Sequence, residues 1–532
     1  MTLPAEPSHF DRKDYIIASL IGLGALVVYI RTLAPDLLFG DSAEFQALAY
    51  SPAYTHSTGY PIYLLIARTL GFLPIRSFAW RVNFLSALFA AGTIFGIYFL
   101  IRKLSRNRIG AILGCLSLGI SYTFWSQAVI AEIYTTATIF IVTIVFFAWH
   151  WYEDPQSRSL WLFFSLMLAG TGIHTTVVLI APAIGVFIIW TLWKYHASIG
   201  IWKRSLLAAV LGGLAGVSIF LLGFLILDIN NPPTSFIQVT LYPSRSLWGA
   251  TAADLDTFLE RVYATVVSIQ WRGAMFSGGV DFAIDSFKSY WQWLLGHDFT
   301  ILMLLLSLVG FFAILRSKPI HGGFMLIAIG TLLFFIANYN TSDRQVFYLA
   351  TYIFLAVAIG AGIGYILDKI QQALGIRSAT LSKAVYTSTA ILLTLVILLP
   401  TASVRWDALR AGSTNFVTED YAYPIYDLSE PRRIAEERML CLPDDALLVL
   451  DWRTLYATYY LSYVEQGRKG LQIYEASPYP SNWALPETLL EEVKAAVQSG
   501  RLVYSDQEYS NLRPIFRLIP VTACNLFRLS IP

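Results

Sequence analysis

Residues 80–101 read WRVNFLSALFAAGTIFGIYFLI, an apolar stretch in which Arg81 is the only charged residue. A helix rises about 1.5 Å per residue, so roughly 20 such residues cross a hydrocarbon core of about 30 Å. This stretch therefore predicts a transmembrane helix. Eight further stretches have the same character: Tyr15–Leu33, Ile109–Trp125, Ile133–Trp151, Ser205–Leu227, Phe299–Leu315, Phe324–Asn338, Val346–Leu367 and Val385–Leu399.

The apolar block Leu160–Trp193 is too long for one helix. Its middle reads AGTGIH over residues 169–174, and glycine weakens a helix while a histidine at membrane depth needs protein or water around it. We expect two helices hinged there, which brings the predicted number of transmembrane helices to about eleven.

The composition agrees with an all-α polytopic membrane protein. Of the 532 residues, 56% are hydrophobic and 14% are charged, whereas an average soluble domain has about 25% charged residues. A soluble globular protein, a disordered chain and a disulfide-stapled mini-domain are excluded. The net charge of +2 implies no nucleic-acid partner.

The basic residues predict the orientation, because cytoplasmic loops of membrane proteins are enriched in lysine and arginine. Eleven helices in alternation place the basic segments at Arg12, Arg102–Arg108, Lys194–Arg204, Arg316 and Lys369 on the cytoplasmic side. The same alternation predicts five extracytoplasmic segments, which are residues 34–79, 126–132, 228–298, 339–345 and everything after 400.

The sequence predicts two domains, a transmembrane module over residues 1–402 and a small soluble α/β domain over residues 403–532. Charged residues return in the second. It has short strands at Ala446–Leu450, Leu471–Tyr474 and Arg501–Tyr504, with helical stretches between them, which favours a small parallel sheet. Cys441 and Cys524 could pair there, but two cysteines alone do not establish a disulfide.

The first outer loop carries the most informative polar residues. Asp41 and Glu44 are three positions apart, so both carboxylates lie on one face of a helix at the outer interface. There a carboxylate can be tuned as a general base. The alternative is that these residues only cap a helix.

Seven more residues are candidates for binding a substrate or a phosphate. His56 and Tyr60 lie in the turn YTHSTGYP, and Arg81 is a cation on the outer side, where basic residues are unusual. Each has a structural alternative, such as an interfacial turn, a snorkelling side chain, a helix-terminal charge, a buried histidine or a local ion pair. The others are Glu132, His174, Arg245 and Arg344.

Several motifs are absent from the sequence. It has no Walker A loop for ATP-driven transport, no HExxH zinc motif and no GxSxG elbow. Few ionisable residues fall in the middle of the spans, which argues against a proton-coupled pump.

The chain resembles the protein O-mannosyltransferase family formerly labelled a domain of unknown function, within the GT-C class of membrane glycosyltransferases. The resemblance is most specific in the first two hundred residues and covers most of the chain. It departs from the family at Ser57-Thr58, where the family usually has two prolines. The matching stretches include TLAP (32–35), GDSAEF (40–45), HSTGYP (56–61), AWRVNFLSALF (79–89), FWSQAVIAEIY (124–134) and LDW (450–452).

This resemblance implies an inverting glycosyltransferase that moves mannose or another hexose from a polyprenyl-phosphate donor to a hydroxyl of a protein, lipid or glycan. Asp41 would be the general base, with Glu44 or Glu132 orienting it. His56 and one or more of the three arginines would stabilise the leaving phosphate. We expect no metal or other cofactor, and a multi-pass protein of the bacterial inner membrane whose active site and C-terminal domain are extracytoplasmic.

Two other functions remain open at this point. A transporter or flippase of lipid-linked sugars would also need a membrane module, but its polar residues would follow a path through the bilayer rather than gather at one face. A non-catalytic assembly protein is the third interpretation.

Overall fold

The computed structural model describes residues 10–154, 159–194, 199–375, 379–411, 423, 425–480 and 482–532. The first four hundred residues are almost entirely helical. Their α-helices are Arg12–Arg31, Gly40–Tyr50, Pro61–Gly71, Phe78–Leu104, Arg108–Gly119, Tyr122–Ala128, Tyr134–Glu153, Ser159–Gly170, Thr176–Leu179, Ala181–Lys194, Ile199–Asn230, Phe258–Val266, Gly279–Trp293, Ile301–Ser317, Pro319–Ala337, Arg344–Phe347, Leu349–Gly375 and Ala379–Ala411.

Within these described ranges, seven helices are long and apolar enough to cross a membrane, or nine if two bent pairs each form one span. The prediction of a polytopic helical protein is confirmed. The predicted number of about eleven is reached only when two shorter apolar helices, Ser159–Gly170 and Lys383–Ile397, are included.

The block at 160–193 is broken where the glycines predicted a hinge. One helix ends at Gly170, and the next begins at Thr176. His174 lies in the connection and is buried. The expectation of two helices is confirmed.

The helix Leu349–Gly375 is the centre of the bundle, because glycines let its neighbours approach closely. A Cβ atom on Gly310 would lie 1.8 Å from the carbonyl oxygen of Ala358, and one on Gly110 would lie 2.3 Å from that of Gly360. Backbone therefore contacts backbone on two sides. The N-terminus of this central helix follows directly on the polar segment 339–348.

Two of the arginines predicted to be cytoplasmic lie together at one end of the bundle. Asp14 is buried and accepts hydrogen bonds from Arg102 Nε at 2.9 Å and from Arg108 Nε at 3.0 Å. These contacts join the start of the first helix to the end of the helix Phe78–Leu104. The first outer loop connects the opposite ends of the same two helices.

The C-terminal part contains a five-stranded sheet in the order β2-β1-β3-β5-β4. Its α-helices are Glu430–Cys441, Trp452–Tyr459 and Glu487–Gln498, and its strands are β1 (Leu447–Leu450), β2 (Gln472–Glu475), β3 (Val503–Ser505), β4 (Arg517–Val521) and β5 (Leu526–Ser530).

The α/β class of this sheet and the parallel pairing of its three predicted strands are confirmed, and two strands that the sequence did not predict extend the sheet. β1 pairs in parallel with β2 and β3, whereas β5 pairs antiparallel with β3 and β4. The last two strands are joined by a short turn at Thr522–Cys524, which only an antiparallel pair permits. Cys441 and Cys524 form a disulfide across this region.

The C-terminal part packs directly on the first outer loop. The backbone N–H of Ala79 donates to the hydroxyl of Tyr460 at 3.0 Å, and Arg432 binds both Asp36 and Glu465. The helix Ala379–Ala411, which leads into it, continues through Pro400 and past residue 403. The division at 402/403 stays a prediction.

Candidate active site

The helix Gly40–Tyr50 presents Asp41 at its first turn. The helix begins after Phe39, whose side chain makes no capping hydrogen bond, and Gly40 adopts a left-handed φ of +54°. The side chain of Asp41 is 31% exposed, and its Oδ1 accepts a hydrogen bond from Trp452 Nε1 at 2.6 Å. The capping alternative for Asp41 is therefore wrong.

Glu44 lies one turn below Asp41 and is fully buried. Its carboxylate accepts two hydrogen bonds from His56, one from the backbone N–H at 2.8 Å and one at Nδ1 at 2.5 Å. Glu44 therefore orients the imidazole rather than capping its own helix. The other imidazole nitrogen, Nε2, lies 3.7 Å from Oδ2 of Asp41. The predicted shared face of Asp41 and Glu44 is confirmed, because His56 contacts both.

The two carboxylates control the charge of His56. Burial alone would favour the neutral ring, but the negative charges of Glu44 and Asp41 outweigh it and raise the pKa of His56 to about 10. At neutral pH the imidazolium is a fixed positive charge between a buried carboxylate and a partly exposed one. Trp452 packs edge-on against this ring, with centroids 5.9 Å apart.

Glu132 lies behind Asp41 on a third segment. Its Oε1 is 3.4 Å from the hydroxyl of Ser42, and its backbone exchanges hydrogen bonds with Ser86. The following helix has Ile133 as its N-cap, so Glu132 precedes the helix rather than capping it. Burial raises the pKa of Glu132 well above its usual range.

Asp41 and His56 open onto a cleft with an empty volume of about 1080 Å³, counting its open mouth. The wall combines aromatic side chains with a few polar groups, as is common in small-molecule sites. It is built from the first outer loop, the hinge, two later outer segments and the C-terminal part. The predicted residues that line it are Asp41, His56, Tyr60 and His174.

Two of these residues are held by short local contacts. The hydroxyl of Tyr60 is 3.4 Å from His56 Nε2. His174 Nδ1 is 2.9 Å from the hydroxyl of Thr176, and its ring packs against Tyr134 at 5.2 Å. The hinge thus presents one face of His174 to the cleft.

None of the three predicted phosphate-binding arginines is among the residues that line the cleft. Arg81 donates to backbone carbonyls of Ser77 and Leu73, and Arg245 donates to the carbonyl of Tyr242 at 2.6 Å and pairs with Glu492. Arg344 contacts Ser286 and the carbonyl of Thr341. Each guanidinium thus contacts protein acceptors outside the cleft: backbone carbonyls for Arg81, an ion pair for Arg245, and a hydroxyl and a carbonyl for Arg344.

The carboxylates nearest the cleft floor already accept protein donors. Asp41 receives the indole N–H of Trp452, and both oxygens of Glu44 contact His56. Among the described residues, no group of three or more histidine, cysteine, aspartate or glutamate side chains is placed to hold a metal ion.

The cleft also contains residues that sequence reasoning did not assign to the site. Glu475 at the end of β2 is 5% exposed and accepts a hydrogen bond from Thr240 at 2.6 Å. Burial raises its pKa to about 8. Asp343 and Gln270 line other parts of the wall. Trp452 had two signals in the sequence, its place immediately after a strand and an aspartate and its position in the stretch LDW that carries the family resemblance.

Comparison with known proteins agrees with this geometry. Residues 41–197 match the family described as the protein O-mannosyl-transferase TMEM260 N-terminal domain. The resemblance predicted from the sequence is confirmed. Over 115 residues the chain is 31% identical to the protein O-mannosyl-transferase TMEM260 of Mus musculus, a match that covers 21% of this chain and 16% of the mouse protein. The match therefore spans less than a fifth of that relative.

Solved structures extend the similarity to the whole fold. ArnT from Cupriavidus metallidurans, in a crystal structure bound to undecaprenyl phosphate, superposes with a TM-score of 0.56 at 13% identity over 98% of both chains. The chain has the GT-C fold. The oligosaccharyltransferase of Archaeoglobus fulgidus in its apo form gives 0.55 at 13% identity, over 93% of this chain and 69% of the other.

Proposed function

We propose that the protein is an inverting glycosyltransferase that moves a hexose from a polyprenyl-phosphate donor to an acceptor hydroxyl. The observation that carries the proposal is the placement of Asp41. It is a partly exposed carboxylate at the floor of a cleft, and the Trp452 indole and the His56 imidazolium hold it from two sides. The GT-C fold and the match to an O-mannosyltransferase domain support the same reaction class.

Asp41 acts as the general base. It accepts the proton of the acceptor hydroxyl while that oxygen attacks the anomeric carbon of the donor sugar. A new glycosidic C–O bond forms on the face opposite the bond that breaks, and polyprenyl phosphate leaves with the bonding electron pair. Glu44 does not take part directly, because both of its oxygens hold His56.

His56 supplies the positive charge that the leaving phosphate needs. Its imidazolium is the permanent cation among the described residues that line the cleft, since no arginine or lysine is found there. A charge-assisted hydrogen bond from an oriented imidazolium stabilises a developing phosphate charge more than a neutral donor does. The hydroxyl of Tyr60 lies 3.4 Å from Nε2 and donates to the carbonyl oxygen of Ser57, so it packs beside the imidazolium rather than adding a second donor.

Four finer features belong to the same proposal. The sugar is mannose or another hexose, and the acceptor is a protein serine or threonine, a lipid or a glycan. The cleft faces the extracytoplasmic side of a bacterial inner membrane. Two features support this orientation: the basic cluster at the end of the helix bundle opposite the cleft, and the Cys441–Cys524 disulfide. Transfer needs no resident metal, because the two nearest carboxylates are already bound by protein donors.

The decisive experiment uses the purified protein in lipid nanodiscs with radiolabelled polyprenyl-phosphate sugars and a panel of peptide, lipid and glycan acceptors. The wild-type protein consumes one donor, with or without EDTA. The Asp41→Asn variant still binds that donor but loses transfer by at least about 100-fold, the lower range for removal of a general base.

The Asp256→Asn variant is the matched control, because Asp256 is an exposed carboxylate of an outer segment. It is expected to keep wild-type transfer. Wild-type rates in Asp41→Asn would remove the catalytic assignment. Movement of the labelled lipid across a bilayer without cleavage of its sugar would show a flippase instead.

A further inference from the structure

A second pocket lies in the C-terminal part, outside the cleft described above. Its empty volume is about 990 Å³, counting the open mouth. It sits where the parallel strands β1 and β3 end, at Asp451 and Asp506, and the helix Glu430–Cys441 forms its opposite wall. The crevice outside the carboxyl ends of parallel strands is a common ligand position in α/β folds.

Three residues that line this pocket each carry a buried polar atom without a partner among the described residues. Within the described part of the chain, Arg438 Nε, Thr454 Oγ1 and Glu430 Oε2 are buried and have no hydrogen-bond partner. Arg438 is 4% exposed and Thr454 is 9% exposed, and both line the pocket. A buried polar atom left unpaired costs roughly 1–3 kcal/mol, so a donor, a hydroxyl and an acceptor together favour a ligand that can pair with all three.

The charges of the pocket compensate one another. Each of its three arginines has a carboxylate neighbour: Arg433 Nη1 lies 2.9 Å from Glu437, Arg453 Nη2 lies 3.2 Å from Glu430, and Arg438 Nη2 lies 3.9 Å from Asp506. With Asp451 the lining carries four carboxylates against three guanidinium groups. An anion would therefore meet no net positive charge. A neutral ligand with many hydroxyl groups fits the mixed donors and acceptors.

We propose that this pocket binds a neutral sugar residue, at a site separate from the transfer reaction. Hydroxyl groups of a pyranose both donate and accept, so one ring can pair with Arg438, Thr454 and Glu430 at once.

The pocket is linked to the cleft through three successive residues, Asp451, Trp452 and Arg453. Asp451 caps the helix whose first residue is Trp452, the partner of Asp41. The guanidinium of Arg453 stacks on the ring of Phe39, 4.4 Å from its centroid, and Phe39 directly precedes the helix Gly40–Tyr50. A sugar bound beside Asp451 and Arg453 thus contacts the same segment that positions the base.

The test uses the full chain carrying Asp41→Asn, without donor, in lipid nanodiscs. Maltoside detergents are avoided because their sugar headgroups would compete with the probe for the pocket. Saturation-transfer NMR is recorded with methyl α-mannoside, methyl α-glucoside and inorganic phosphate as probes. We expect saturable binding of a methyl glycoside and none of phosphate. Thr454→Val weakens that binding at least about fivefold, as expected for one lost hydrogen bond.

Thr454→Ser, which keeps the hydroxyl, and Thr522→Val, at an exposed threonine outside the pocket lining, should bind like the parent. The hydroxyl of Thr454 has no partner in the described part of the chain, so its removal is not expected to impair folding. The proposal is overturned if neither glycoside binds saturably, if Thr454→Val binds like the parent, or if phosphate binds instead. The absence of donor and of Asp41 makes this result independent of the proposed transfer activity.

Discussion

The indole nitrogen of Trp452 donates a 2.6 Å hydrogen bond to Oδ1 of Asp41, although 411 positions separate the two residues. The C-terminal part thus contributes a side chain to the candidate active site. Tyr460, one helical segment further on, binds the backbone of Ala79 at the start of a membrane helix. The first outer loop is held between the bundle and the sheet.

Trp452→Phe removes the N–H donor and keeps most of the aromatic volume. Asp41 then loses the contact that fixes its orientation, and a hydrogen bond to a charged group contributes roughly 1.5–3 kcal/mol. We expect kcat to fall by about tenfold or more while donor binding changes little. Trp483→Phe is the control, because Trp483 is 63% exposed. Equal kcat in the two variants would contradict a positioning role for Trp452.

Gly40 allows the helix Gly40–Tyr50, which carries Asp41, to begin where it does. Its φ is +54°, and a Cβ atom there would lie 2.1 Å from the ring of Tyr423. The left-handed conformation alone costs a residue with a side chain roughly 1–2 kcal/mol, and the ring must also move.

Gly40→Ala should therefore lower transfer by more than about tenfold, as measured in the same radiolabel assay, and lower the midpoint of thermal unfolding. Gly24→Ala is the matched control, because no atom lies within 4 Å of the added methyl group. Wild-type transfer by Gly40→Ala would show that the loop helix tolerates a different start.

The polar residues of the first outer loop could be predicted from the sequence because their contacts are local. Asp41 and Glu44 share a helix face by spacing, and His56 follows in the next turn. The contact with Trp452 depends on how a distant domain docks, which no local pattern encodes. The arginines illustrate the same limit, since the sequence places Arg81 on the outer side but does not show whether its guanidinium contacts a ligand or backbone carbonyls.

The sheet shows a second limit of local patterns. The strands β1 to β3 are bounded by helices and were predicted within one or two residues. β4 contains Pro520, and β5 alternates apolar residues with Arg528. β4 is an edge strand, where a proline is tolerated, whereas β5 lies between β3 and β4. Both short stretches resemble loop sequence, and antiparallel pairing with their neighbours is what makes them strands.

The orientation can be measured with single cysteines in a Cys115→Ala background, since Cys441 and Cys524 are joined in a disulfide. Asp256→Cys lies in an exposed outer segment, and Lys203→Cys lies at the start of a membrane helix on the predicted cytoplasmic side. We expect a membrane-impermeant maleimide to label position 256 in intact cells and position 203 only after permeabilisation. The reverse pattern would place the cleft in the cytoplasm.

Glu475 predicts how the activity depends on pH. Burial raises the pKa of this carboxyl to about 8, so it is neutral at pH 7 and ionises as the pH rises above 8. The new negative charge would lie in the cleft that receives the donor phosphate, and it should weaken donor binding. His56, whose pKa is raised to about 10, keeps its proton over this range. The wild-type kcat/KM is therefore expected to fall as the pH passes 8.

Glu475→Gln mimics the neutral acid at every pH. This variant should match the wild-type protein at pH 7 and keep its kcat/KM until the pH approaches 10, where His56 loses its proton. Glu491→Gln, at a residue 64% exposed in the same domain, should retain the wild-type profile. A decline of kcat/KM near pH 8 in Glu475→Gln would show that another group causes the loss of activity at alkaline pH. Loss of activity at pH 7 in Glu475→Gln would mean that the reaction needs the protonated carboxyl group itself, and not only an uncharged side chain of similar size at this position.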